Sequence, residues 1–92
     1  MSDATQADAV QEKVHAIIAG QAMIDAADVK PESTPEELGL DSLALVEIVF
    51  AIEEEFGITV PYNANEPDQS EFSIATVRAV TEGVRKLVAE QA

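Results

Sequence analysis

The stretch Leu38–Pro61, LGLDSLALVEIVFAIEEEFGITVP, decides the fold. Asp41 stands ahead of a run free of Pro and Gly. Its carboxylate suits the unpaired N–H groups and the positive end of a helix that begins there. Gly57 supplies a left-handed terminus after Phe56, and Ile58 the apolar contact that often follows one. The spacing therefore predicts a helix from Asp41 to Phe56. Wound at about 100° per residue, Glu47 and Glu54 fall on one stripe, with Ala44 and Ala51 beside them. Leu45, Val46, Ile48, Val49, Ile52 and Phe56 cover the broad opposite side, and Leu43 and Phe50 sit at the border of the acidic stripe. Such a helix faces a core over most of its girth and keeps one narrow edge for solvent or a partner.

Upstream, Val10, Val14, Ile17 and Ile18 recur at helical spacing, predicting an amphipathic helix over roughly Thr5 to Gln21, with Gly20 as its end signal. Between Ala22 and Leu40 the period fades, and Pro31, Pro35 and Gly39 mark a long connection. Within it, Thr34 and Glu37 have the spacing of a capping box, with Pro35 at the first helical position and Gly39 as a stop. One helical turn is expected there. Downstream, Pro61, Asn63, Asn65 and Pro67 argue for a loop with one short turn near Glu66 to Ser70. A last helix starts at Ser73 or Thr76 and carries Ile74, Val77, Val80, Val84, Leu87 and Val88. Alternating strand patterns are absent, so the expected fold is all-α: three main helices plus short turns, in a single domain spanning 1–92.

The 92 residues hold 18 Asp and Glu against 5 Lys and Arg, a formal charge of −13, and a pI near 4.1. Nucleic acid and anionic membranes are poor partners for such a surface. Yet 47 % of the residues are hydrophobic, so the chain is no disordered acidic tail. Without cysteine there is no disulfide, thiolate nucleophile or thiolate metal site. The opening MSDATQADAV lacks the basic region and apolar run of a signal peptide, which points to a cytoplasmic chain. The apolar stretches LALV and IVFAI are too short to span a bilayer.

Few residues offer chemistry of their own. His15 has no partner at a recognised ligand spacing and reads as a solvated helix residue. The run Glu53 to Glu55 reads, alone, as a wet helix surface. Asn63, Asn65 and Asp68 come nearest to a calcium loop but lack its turn glycine, so no metal site is expected. Ser42 has no nearby His to act as a base, and neither a P-loop nor a G-x-G-x-x-G occurs. No catalytic residue is assigned; if Ser42 matters chemically, another protein acts on it.

Taken whole, Leu38 to Pro61 resembles the acyl carrier proteins of fatty-acid and polyketide synthesis. The likeness rests on Gly39-Leu40-Asp41-Ser42-Leu43, Glu47, the acidic run 53–55, Phe56-Gly57-Ile58 and Pro61, and extends more weakly through EKVHAIIAG and SIATVRAV. The resemblance implies that Ser42 carries 4′-phosphopantetheine, transferred from coenzyme A by a holo-carrier synthase (a phosphopantetheinyl transferase), and that the arm's thiol holds acyl groups as thioesters. It implies a non-catalytic, monomeric carrier acted on by acyl-transferring and chain-elongating enzymes with basic docking patches. Asp41, Glu47 and Glu54 are the expected polar docking contacts, and Leu43 and Phe50 the apolar ones. A peptidyl or aminoacyl carrier, or an unmodified acidic adaptor for basic proteins, are the competing readings.

Two features depart from the commonest fatty-acid carriers. Ala44 stands where many have an acidic residue, and the stretch from Tyr62 to Ala75 is longer than usual and contains Pro67. The Ala44-Leu45 pair looks more like carriers of aromatic polyketide synthesis, and the long stretch points to a specialised carrier serving a dedicated pathway.

Overall fold

The structure is a computed structural model describing residues 2–62 and 72–91, with side chains described from residue 9 onward. Three helices make up the regular structure: α1, Ser2–Ala22; α2, Ser42–Phe56; and α3, Val77–Gln91; a 3-10 turn at Ala26–Asp28 follows α1. Among the described residues there is no strand, and the expected all-α bundle with a long loop between its first two helices is what forms. The turn expected near Glu66 to Ser70 lies outside the described residues.

The central helix forms as its sequence requires. Asp41 is the N-cap, its Oδ1 accepting from the Ala44 N–H at 2.8 Å. Gly57 closes the other end at φ 63°, ψ 41°, a conformation costly for residues with a Cβ. The N–H groups of Gly57 and Ile58 both donate to the Glu53 carbonyl, at 2.9 and 3.3 Å, and Ile58 tucks into the core. Of the six residues on the broad apolar side, Ile48, Val49 and Ile52 are buried, while Leu45, Val46 and Phe56 are half-buried.

The end of α1 departs from expectation. Gly20 lies inside the helix, and the left-handed position falls on Met23, at φ 61°. The Ile24 N–H donates back to the Ala19 carbonyl at 3.1 Å, the six-to-one bond of a Schellman close. Met carries no signal for that conformation.

In the long loop, Thr34 and Glu37 form the capping box. The Thr34 N–H donates to Glu37 Oε1 at 2.9 Å, and the Glu37 N–H to Thr34 Oγ1 at 3.2 Å. Gly39, at φ 73°, ends the turn. Thr76 rather than Ser73 caps α3, its Oγ1 accepting from the Ala79 N–H at 3.1 Å. Ile74, read as part of the α3 stripe, therefore precedes the helix.

The core joins Val14 and Ile18 of α1, Ile48, Val49 and Ile52 of α2, and Val77, Val80 and Val84 of α3, with Val29, Ile58, Val60 and Phe72 from the connections. Each such side chain contributes about 1.5–3 kcal/mol when fully buried. Thr81 is buried among them and remains satisfied, its hydroxyl donating to the Val77 carbonyl at 3.0 Å. His15 is half-buried rather than solvated, and burial lowers its pKa.

Candidate functional site

Ser42 is the first residue of α2 and is exposed. The Asp41 cap sets the helix start, so the same interaction that nucleates α2 presents the serine hydroxyl at its tip. Thr34, Pro35, Glu36, Leu40, Asp41, Ser42, Leu45, Ile74 and Ala75 line an open groove. Beneath it lies an apolar cleft walled by Pro35, Leu38 and Leu40 of the loop, Leu45 and Ile48 of α2, and Val77 and Val80 of α3. The cleft holds about 20 Å³, little more than one water requires. Pro35, Leu40, Leu45 and Ile74 line both spaces, so the serine groove leads directly into the cleft.

These arrangements fit a phosphodiester-linked arm. A hydroxyl at a helix N-terminus accepts an anionic group where the helix dipole favours it, and an apolar space opens beside it.

The five residues expected to meet partners are brought together on α2 and its cap. Leu43, Glu47, Phe50 and Glu54 recur at intervals of four, three and four residues, so they form one ridge. All four are exposed, Leu43 at 67 % and Phe50 at 60 %, unusual for large apolar side chains on a helix so well buried elsewhere. Asp41 is exposed at the head of the ridge, its carboxylate engaged in the cap.

The acidic run divides into three roles that its sequence did not separate. Glu53 is half-buried, and its Oε2 accepts from the Val60 N–H at 2.8 Å. Glu55 pairs with Lys13 at 3.2 Å. Glu54 alone joins the exposed ridge, and among the described residues neither it nor Glu47 has an ion-pair partner.

Sequence reading missed Pro35, Leu40, Ile74 and Ala75 as neighbours of Ser42. Leu45 alone had a usable signal, lying one turn after Ser42. Leu40 is two residues from Ser42 in the chain, whereas Pro35, Ile74 and Ala75 meet the serine only through the path of the loop and the entry to α3.

Residues 12–64, more than half of the chain, match the family described as the phosphopantetheine attachment site. The chain is 44 % identical over 66 residues to the acyl carrier protein AcpXL of Rhizobium meliloti (strain 1021), across 71 % of this chain and 70 % of that one. An exposed serine at the tip of a helix, an apolar cleft below it and these two matches lead to one conclusion: the chain belongs to the acyl carrier protein family, whose cofactor is covalently attached 4′-phosphopantetheine.

Proposed function

We propose that Ser42 is the attachment residue, and that this chain, one carrier domain over 1–92, shuttles acyl groups between enzymes of fatty-acid or related lipid or polyketide synthesis without catalysing a step itself. The observation that carries this reading is the exposed Ser42 at the mouth of a groove that continues into an apolar cleft. The arm supplies a terminal thiol able to hold acyl groups as thioesters. The chain's own residues do the rest. Asp41 organises the helix start that presents the hydroxyl. Leu45 and Ile74 stand where groove meets cleft, and the walls shelter an alkyl chain once they part, each buried methylene contributing about 0.8 kcal/mol.

The exposed ridge of Leu43, Glu47, Phe50 and Glu54, with Asp41 at its head, fits docking to enzymes bearing basic patches around an apolar contact. Charge complementarity gives fast, salt-sensitive association and ready release, as a shuttle requires. Partner enzymes, among them a phosphopantetheinyl transferase, thus meet a monomeric, cytoplasmic carrier. No helix among the described residues is long and apolar enough to cross a membrane.

Incubation with coenzyme A, magnesium and a phosphopantetheinyl transferase, followed by mass measurement, tests the attachment. One phosphopantetheine is expected on the unsubstituted protein and none on Ser42→Ala. No addition, or addition surviving the substitution, would instead leave an acidic adaptor. Charge reversal at Glu47 and Glu54 is expected to slow partner-enzyme reactions; unchanged rates would remove the ridge from docking. The long 62–75 stretch favours a dedicated pathway, a reading that full restoration of growth in cells lacking their only fatty-acid carrier would overturn.

A further inference from the structure

The apolar cleft beneath the Ser42 groove has two unlike walls, with Ile18 of α1 also lining it. One is α2, through Leu45 and Ile48. The other is composite: Pro35, Leu38 and Leu40 from the loop, and Val77 and Val80 from α3. The loop belongs to α3 by its hydrogen bonding. The first N–H groups of a helix have no intrahelical acceptor, and in α3 the loop supplies two. Val77 N–H donates to the Ser33 carbonyl at 2.9 Å, and Arg78 N–H to the Pro31 carbonyl at 2.9 Å. The Arg78 guanidinium also meets the Glu32 carboxylate at 3.6 Å. Three successive loop residues are thereby fixed to the first turn of α3, immediately before the capping-box turn that carries Pro35 and Leu38. Meanwhile α1 packs against both other helices, and the cleft lies between α2 and the α3 side.

We infer that Arg78 is a positioning residue for the acyl cargo: with Val77 it fastens loop 31–33 to α3, so that loop and helix part from α2 as one wall and close again on the chain between them. Arg78 is exposed and does not line the cleft, so it acts through Pro35, Leu38 and Leu40. The side-chain pair is weak at such exposure. The backbone bonds are the stronger tie, since each breaks only by leaving a helix-terminal donor without its acceptor. This inference rests on attachment at Ser42 and on sheltering of an alkyl cargo.

The test compares butyryl, octanoyl and hexadecanoyl forms, loaded at Ser42 from the corresponding acyl-coenzyme A. The readout is the rise in Tm with chain length within each protein. Arg78→Pro removes the donor and the charge at the second residue of the helix, where the missing N–H breaks no intrahelical bond; Arg78→Lys keeps both. The unsubstituted protein and Arg78→Lys are expected to show the same rise. Arg78→Pro should lose about half of it or more, because one wall no longer closes on the buried methylenes. A merely structural role would lower every form's Tm equally and leave the rise intact, which would overturn the inference.

Amide exchange of the unsubstituted protein gives a reading free of substitution. The Val77 and Arg78 amides should keep their protection when the hexadecanoyl chain is loaded. A fall of about tenfold or more would show the loop leaving α3, and would also overturn the inference. If the unsubstituted protein gains no mass, or no stability with chain length, the proposed function fails and this inference with it. A normal rise that Arg78→Pro retains would sink only the inference.

Discussion

The ring of Phe72 lies against Gly83 so closely that a Cβ at residue 83 would stand 2.7 Å from its Cε1. Phe72 is only 3 % exposed and sits two residues before Ile74, which lines the groove. The absent side chain on α3 therefore makes room for the ring that anchors the entry to that helix. Gly within a helix ordinarily costs about 1 kcal/mol relative to Ala; here it admits an aromatic contact that Ala would displace. Gly83→Ala is expected to destabilise by about 1–2 kcal/mol despite better helix propensity, read as a lower denaturation midpoint in urea. Gly20→Ala is the control. It is also helical and exposed, with nothing within 4 Å of an added Cβ, and should stabilise by about 1 kcal/mol.

Met23 holds a left-handed conformation while 90 % exposed. It gains little from packing, so Met23→Gly should stabilise by about 0.5–1 kcal/mol. Thermal melts of the two proteins at equal concentration check this. A lower Tm would mean that the methionine side chain contributes more than its exposure indicates.

Asp41 combines a cap and a charge, and two substitutions separate them. Asp41→Ala should cost about 1 kcal/mol of stability by removing the acceptor for the Ala44 N–H. Asp41→Asn keeps an acceptor and should stay within about 0.5 kcal/mol of the parent. If the charge serves docking, Asn should weaken partner association nonetheless, measured as a raised KM for carrier with a partner enzyme.

Burial lowers the pKa of His15, which shares a polar groove with Gln11, Arg78, Glu82 and Arg85 and adjoins Glu12. The neutral ring is thus the form the fold accepts. As pH falls through the unfolded value of about 6.5, the unfolded chain takes up a proton before the folded one does. This stability contribution is complete above that pH and is lost as pH falls toward the lower folded-state value. His15→Gln should flatten that part of the stability profile. Parallel profiles for the two proteins from pH 5 to 8 would contradict the assignment.

A formal charge of −13 opposes compaction. Added salt or magnesium should raise Tm, a gain of about 1 kcal/mol appearing as about 5 °C in a domain of this size. A Tm indifferent to both would show that the acidic side chains are already well separated.

Local chemistry made much of this protein legible. Asp41, Gly57 and Ile58 set the limits of α2 because caps act between residues only a few positions apart. Thr34 and Glu37 announced their turn for the same reason. The end of α1 was not legible, since Met23 takes a conformation that its own side chain disfavours. Nor was the start of α3, where Ser73 and Thr76 are equally suited to capping. Ile74 accordingly read as helical, although the structure leaves it in the connection.

The sequence by itself determined the helical class, the limits of the central helix and the place of Ser42 at its tip, because short-range hydrogen bonding and periodicity decide those. Only the tertiary structure decided what surrounds the serine. Pro35 and Ile74 come beside it where the loop is fastened to α3, and Glu53, Glu54 and Glu55 differ only in what the fold brings beside each. Such relations join residues far apart in the chain, and no periodicity along one helix encodes them.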